Sequence, residues 1–272
     1  MAPFLAMRIW NRKPFCVDLV KCASCGFFFY NPRLDNADLH RLYADYRLRE
    51  YQQMRHASEP WYTSKFNEDL ASPALYQRRR AALAPLLRQH LEGRTIRRVL
   101  DHGGDRGDLV SGLIEGAEAF VYDISGIPPA AGVTAVADPA ACQPNLIINS
   151  NVLEHVGFPR DLVRAILEAA GDGLVYLEVP AEQPTGLSRI ARRIAQIGIV
   201  SLVHPSLAVS ILRPASLYMM HEHINYFTER ALTTLFRAAG GNVHASGNYT
   251  VEASPTRAEF AWCLGSRDGT KA

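Results

Sequence analysis

No run of about 18 apolar residues, the length a bilayer-crossing helix needs, occurs anywhere in the 272-residue sequence. The opening residues also lack the apolar core of a secretion signal, because Arg8, Asn11, Arg12 and Lys13 interrupt it. An excess of one charge sign is missing too. Lys and Arg number 29 against 27 Asp and Glu, a formal net charge of +2, which gives no electrostatic reason to expect nucleic acid as partner. Cysteine is scarce and odd in number: Cys16, Cys22 and Cys25 lie near the start, and Cys142 and Cys263 stand alone. That is not the even, regularly spaced set of a small disulfide-held secreted domain. There is no internal repeat, no low-complexity tract and no Gly-x-Ser-x-Gly nucleophile elbow. These absences leave a cytoplasmic protein without a membrane span.

What is present begins with an ordinary apolar content of 48%, enough for a globular core. Residues 1–60 hold the cysteine cluster and a tyrosine-rich stretch (Leu39, Leu42, Tyr43, Tyr46) that reads as helix. From Ser72 the spacing of Leu75, Leu83, Leu86, Leu87 and Leu91 predicts a helix, with Arg78, Arg79 and Arg80 on its solvated side. Beyond Gly93 short apolar runs alternate with helical segments. Arg98–Leu100, Ala119–Tyr122, Asn145–Asn149 and Leu174–Val179 read as strands. Asp108–Glu115, Asp161–Ala170 and Thr228–Ala239 read as helices. Such alternation predicts a parallel sheet covered on both faces. The last two runs, Asn242–Val251 and Ala258–Leu264, are joined by too short a turn for a crossover and should pair antiparallel. The expected fold is therefore α/β, Rossmann-like and mostly parallel, with residues 1–60 as a small N-terminal segment and 61–272 as the main domain. Within 185–217, Leu187, Ile190, Ile194 and Ile197 recur at helical spacing opposite Arg189, Arg192 and Arg193. That stretch reads as a lid, as a helix making peripheral membrane contact, or as a helix packed on its own domain.

The most informative segment is Val99-Leu100-Asp101-His102-Gly103-Gly104-Asp105-Arg106-Gly107. Glycines between a strand and the next element allow positive φ and let a ligand approach the backbone. Asp123 ends the next strand, where a carboxylate can accept hydrogen bonds from both hydroxyls of a ribose. Asp101, Asp105 and Asp108 would repel a dinucleotide's pyrophosphate. They suit a ligand with a sulfonium and an amino group. Charge thus favours S-adenosylmethionine over NAD.

On these residues the chain resembles the class I S-adenosylmethionine-dependent methyltransferases, from about residue 75 to the end. Asp101-x-Gly103-Gly104-x-x-Gly107 is similar to the first motif of that superfamily, with Asp105 at the usual middle glycine. Asp123 matches its ribose-binding acid and Asp138 its acidic position near the adenine. Asn145–Val156 is similar to the fourth motif, with Asn145 where an aspartate is usual and Asn151 on the cofactor side. The resemblance implies a seven-stranded sheet and a cofactor site built from Asp101, Gly103, Gly104, Gly107, Asp123, Asp138 and Asn151. Val152-Leu153-Glu154-His155-Val156 and His221-Glu222-His223-Ile224-Asn225-Tyr226-Phe227 resemble a bacterial subgroup that includes sugar C-methyltransferases. Members of that subgroup often carry an N-terminal zinc module. Cys22-Ala23-Ser24-Cys25-Gly26 matches its second half, while the first Cys pair is missing. A zinc held by Cys16, Cys22 and Cys25, completed by His40 or another side chain, therefore stands beside a degenerate module with free or oxidised thiols.

Transfer to a hydroxyl or an acidic carbon needs a base. A neutral imidazole titrates in the right range, and the resemblance places a Glu-His pair at the acceptor, here Glu222 and His223. His155, just past a strand's C-terminal end, is the third candidate. Tyr226 and Phe227 read as core. Tyr43, Tyr46 and Tyr51 fit either a helix-packing face or a cover for a sugar ring. The expected activity is methyl transfer from S-adenosylmethionine to carbon or oxygen of a small polar acceptor, a nucleotide-linked or polysaccharide-precursor sugar by resemblance. The alternatives are a silent binding module of the same fold and an NAD-dependent sugar oxidoreductase.

Overall fold

The computed structural model describes residues 1–46, 48–59, 62–63, 72–182, 184, 190–191, 194–195, 198–199, 202, 220–253 and 256–269. The lid expected at 185–217 lies almost wholly outside the described residues. No described helix is long and apolar enough to cross a membrane.

Five strands, β3 (Arg98–His102), β4 (Glu118–Tyr122), β5 (Val133–Ala135), β6 (Leu146–Ser150) and β7 (Leu174–Pro180), run parallel. Two more, β9 (Gly241–Ala253) and β10 (Thr256–Arg267), pair antiparallel with each other, and β10 does so with β7. The order is β5-β4-β3-β6-β7-β10-β9, a seven-stranded Rossmann-like sheet. Every residue of β6 is buried, and all but the last of β7. Such two-sided burial is why these runs are continuously apolar rather than alternating.

Side-chain parity splits the core. On one face Leu100, Ile147, Val175 and Leu177 meet α5 (Pro159–Ala170) and α6 (Glu229–Ala238). On the other, Val99, Leu146, Ile148 and Leu174 meet α4 (Pro73–His90). In α5 the buried set Val163, Ile166, Leu167 and Ala170 forms a single stripe at helical spacing. Ser72 caps α4 by accepting the Leu75 N–H at 3.3 Å, and Thr228 caps α6 by accepting the Ala231 N–H at 3.0 Å.

Two expectations are corrected. Asp108–Glu115 is not a helix but a run of turns. Gly107, Gly112 and Gly116 take φ of +75°, +69° and +76°, and a left-handed residue at Gly112 interrupts a right-handed helix. The segment still buries Leu109, Val110 and Leu113 beneath the sheet. Arg79 is not on a solvated face either; it is buried at 8% exposure, for a reason given below.

The N-terminal segment contains three helices, α1 (Pro3–Trp10), α2 (Asn36–Tyr43) and α3 (Arg49–Ser58), and two strands, β1 (Asp18–Lys21) and β2 (Phe28–Asn31). It does not pack by itself. β2 pairs antiparallel with the two-residue β8 (Asn225–Tyr226), and the Ala2 N–H donates to the Met220 carbonyl at 2.8 Å. Phe4, Leu5, Tyr30, Leu34 and Leu42 share a core with Met220, Ile224 and Tyr226. The N-terminal segment is thus built onto the stretch that carries His221, Glu222 and His223.

Candidate active site

The C-terminal ends of β3, β4, β6 and β7 form one rim, and the candidate residues fall there in two groups.

The first group surrounds the glycine turn. Asp101 is 1% exposed, and its Oδ2 has no hydrogen-bond partner among the described residues. Burial, chiefly, raises its pKa from 3.8 to about 7; Asp123, Glu178 and Asp105 add to the shift and Arg79 opposes it. A Cβ on Gly104 would lie 2.0 Å from the Asp101 Cγ, so only glycine leaves room for that carboxyl. Gly103 and Gly107 take φ of +78° and +75°, and a Cβ there would meet Val152 at 2.6 Å and Val133 at 2.8 Å.

Asp105, at the usual glycine position, adopts φ +58°, a left-handed conformation that aspartate tolerates better than most residues. Its N–H donates to Asp123 Oδ2 at 2.8 Å, and the Ser125 N–H donates to Oδ1 at 2.7 Å. Asp123 is therefore pinned at the end of β4. Asn151 adopts φ +58°, and its buried Oδ1 lacks a partner among the described residues. Asp138 is exposed and accepts the Ala140 N–H at 3.0 Å at the start of a short 3-10 turn. An orphaned buried carboxyl and an orphaned amide oxygen beside a glycine cradle fit a cationic, hydrogen-bonding cofactor such as S-adenosylmethionine.

Beneath this group lies a network that the sequence reading missed. Arg79 Nη2 donates to Glu178 Oε1 and to Ser150 Oγ, both at 2.6 Å. Ser150 Oγ donates to the same carboxylate at 2.6 Å, Tyr176 at 2.9 Å, and Tyr249 closes the set. Burial works against the Arg79 charge, but Glu178 outweighs it and raises the guanidinium pKa. The available signal was Glu178 itself: a carboxylate inside the apolar run Leu174–Pro180 requires a buried cation.

The second group lies past β6. Glu154 is 2% exposed and His155 stacks edge-on against His223, ring centroids 4.9 Å apart. Tyr43 Oη lies 2.8 Å from His155 Nδ1, and the Glu222 carbonyl 3.2 Å from it. Burial, then His223, depress the His155 pKa to about 3, leaving it neutral. Burial raises the Glu154 pKa to about 7. Burial also opposes protonation of His223, but Glu182, Glu154 and Glu222 outweigh it and raise its pKa.

The carboxylate beside His223 Nδ1 is Glu182, at 3.5 Å. Glu222 instead forms a salt bridge with Arg55, which also pairs with Glu59 at 3.0 Å and lies 3.6 Å over the Tyr62 ring. His221 Nδ1 meets Glu59 Oε1 at 3.0 Å. Burial alone would raise the Glu59 pKa; His221 and Arg55 outweigh it and hold the carboxyl at about 2. Tyr226 and Phe227 are buried at 2% and serve as core.

The three N-terminal cysteines are not brought together. Cys16 precedes β1 and Cys22 follows it, and an extended strand rises about 3.3 Å per residue, which carries the two thiols apart. Cys22 and Cys25 share a turn, where N–H groups of Cys25 and Ser24 lower the Cys22 thiol pKa. Among the described residues, Glu154, His155 and His223 are the group of three with metal-ligating atoms in mutual reach. A zinc site on Cys16, Cys22 and Cys25 does not fit this arrangement.

A family model described as a methyltransferase domain matches residues 74–246. No curated protein matches the chain significantly. Among solved structures, the chain is similar to a 1,6-didemethyltoxoflavin-N1-methyltransferase of Burkholderia thailandensis with bound S-adenosylhomocysteine. That match has 18% identity and a TM-score of 0.48, covering 80% of this chain and 89% of that one. It is also similar to a magnesium protoporphyrin IX methyltransferase of Synechocystis with bound S-adenosylhomocysteine. There the identity is 15% and the TM-score 0.46, over 75% of this chain and 89% of that one.

Proposed function

The chain belongs to the methyltransferase-domain family, and we propose that it transfers a methyl group from S-adenosylmethionine to carbon or oxygen of a small, oxygen-rich acceptor in the cytoplasm. A nucleotide-linked or polysaccharide-precursor sugar is the best candidate. S-adenosylmethionine, when bound, supplies an electrophilic methyl group on a sulfonium and leaves as a neutral thioether. All other parts of the step fall to this chain.

In this reading Asp101, Gly103, Gly104, Gly107, Asp123, Asp138 and Asn151 hold the cofactor. The Asp101 carboxylate and the Asn151 amide oxygen find in it the partners they lack among the described residues. Placement of the acceptor supplies most of the rate of an in-line displacement. As the acceptor's carbon or oxygen bonds to the methyl carbon, its proton must leave. The cluster of Glu154, His155, His223 and Glu182 receives it, with His223 made more basic by Glu182. Glu222, committed to Arg55, acts as a positioning residue whose carbonyl orients His155.

The observation that carries the reading is the Glu154 carboxyl, buried and without a hydrogen-bond partner among the described residues, next to two imidazoles on the cofactor's rim. An apolar acceptor would leave it unsatisfied, at a cost of about 1–3 kcal/mol or more. A hydroxyl-bearing acceptor satisfies it. The test is label transfer from methyl-labelled S-adenosylmethionine to a panel of nucleotide-linked sugars. His223→Ala is expected to lower kcat by about 10²–10⁴-fold with the cofactor Kd unchanged. Turnover confined to amine or thiol acceptors, insensitive to His223, would overturn the reading.

A further inference from the structure

We propose that Glu154, His155 and His223 bind a divalent transition-metal ion, of which zinc is the simplest, and that the ion's open positions take acceptor oxygen. The second half of this proposal rests on the acceptor reading above; the first does not.

One ligand atom from each residue lies within 4.8 Å of the other two. Two nitrogens and one carboxylate are a donor set for zinc and neighbouring first-row ions, not for magnesium or calcium, which prefer all-oxygen sites.

The hydrogen bonds around His155 favour Nε2 as its ligand atom. The Glu222 carbonyl, 3.2 Å from Nδ1, can only accept and so favours the tautomer with the proton on Nδ1, while Tyr43 Oη, 2.8 Å away, can accept that proton or donate its own. In that tautomer Nε2 carries a bare lone pair and lies 3.8 Å from Glu154 Oε1. A lone pair and a carboxylate cannot bond to each other. Neither Glu154 oxygen has a hydrogen-bond partner among the described residues, and the side chain is 3% exposed. A cation between them resolves the contact; a shared proton is the competing explanation.

The surroundings are those of a metal site. A ligating imidazole is normally oriented by a carbonyl or carboxylate on its second nitrogen. His155 has the Glu222 carbonyl in that role, and His223 has Glu182, 3.5 Å from Nδ1.

The two segments that carry the ligands are also stitched together. The Ile224 and Asn225 N–H groups donate to the Glu154 carbonyl at 2.8 and 3.0 Å. The Asn225 amide donates to the carbonyls of Leu153 and Val156, both at 2.7 Å. These bonds hold the two ligand-bearing segments against each other. With the ion in place Glu154, His155 and His223 serve as ligands rather than as bases; the ion acidifies an acceptor hydroxyl, and Glu182, outside the ligand set, takes the proton that leaves as the oxygen bonds to the methyl carbon.

The test uses the full chain, stripped with a chelator and titrated with Co²⁺ while visible absorption is followed, then with Zn²⁺ in competition. S-adenosylmethionine binding is measured by calorimetry on the same samples. The expected result is one saturable equivalent, displaced by Zn²⁺, with ligand-field bands but no thiolate charge-transfer band. Glu154→Gln and His223→Ala should abolish it, Tyr43→Phe should weaken it about tenfold, and the Cys22→Ser/Cys25→Ser double variant should leave it intact. Absence of saturable binding in a sample that binds S-adenosylmethionine overturns the proposal and leaves the methyl-transfer reading standing. A thiolate band, or binding that survives Glu154→Gln, overturns it as well. The wild-type spectrum decides even where a variant fails to fold. Metal binding with no transfer to any oxygen acceptor separates failure of the acceptor reading from failure of the metal site.

Discussion

At Asp101 burial and the proposed cofactor pull in opposite directions. The shift of its pKa from 3.8 to about 7 corresponds to about 4 kcal/mol against the ionised form. A folded pKa above the unfolded one makes its contribution to stability complete below about pH 4 and lost as pH rises through about 7. A cationic cofactor reverses the preference, so its binding below pH 7 must release a proton. The S-adenosylmethionine Kd should therefore fall as pH rises from about 5.5 to 7.5, and calorimetry in two buffers of different ionisation enthalpy should detect the released proton. Asp101→Asn should weaken binding and flatten that pH dependence. An unchanged pH profile in Asp101→Asn would place the titrating group elsewhere. Gly104→Ala brings a Cβ to 2.0 Å from the Asp101 Cγ and should abolish cofactor binding while the sheet stays folded by circular dichroism. These residues were legible in the sequence because a strand, a glycine turn and the next strand's end are set by spacing along the chain. The partner of His223 was not, because Glu182 lies about forty residues before it in sequence, while Glu222 sits beside His223 in sequence yet turns to Arg55.

Among the elements, the charged network explains both a success and a failure of sequence reading. The strands were readable because two-sided burial writes itself as continuous apolar runs. Asp108–Glu115 was misread because its apolar spacing is helical while Gly112 adopts φ +69°, a conformation that spacing does not report. Arg79 was misread because its partner lies 99 residues away, so the arginine run looks like a solvated face. That pairing joins α4 to β6 and β7 and, through Tyr249, to β9. Removing one partner leaves an uncompensated buried charge, so Arg79→Met should cost about 3–5 kcal/mol in urea unfolding. The double variant Arg79→Met/Glu178→Leu should recover much of that loss. A double variant no more stable than Arg79→Met alone would mean that the network contributes net stability rather than balanced charge.

Across the whole molecule, the two halves of the active-site rim are supported from different places. The proposed cofactor half rests on the sheet and α4; the methyltransferase-domain match over 74–246 spans the candidates of both halves. The acceptor half rests on the N-terminal segment. Arg55 holds Glu222 and Glu59, Glu59 holds His221, Tyr43 meets His155, and β2 pairs with β8. None of these long-range contacts has a local pattern, which is why residues 1–60 read as a separate cysteine module. The division gives a prediction that separates the halves. Arg55→Ala takes the guanidinium partner from Glu222 and from Glu59, the latter 1% exposed and left with His221, and loosens the 221–223 stretch without touching the glycine turn. The S-adenosylmethionine Kd should stay within about twofold, while the rate of methyl transfer falls at least tenfold, roughly 1.4 kcal/mol. Phe4→Ala, at a fully buried position of the same core, should cost about 3–5 kcal/mol of stability and follow the same split below its melting temperature. If cofactor affinity falls in parallel with turnover in both variants, the N-terminal segment supports the entire rim, and the acceptor half has no separate foundation.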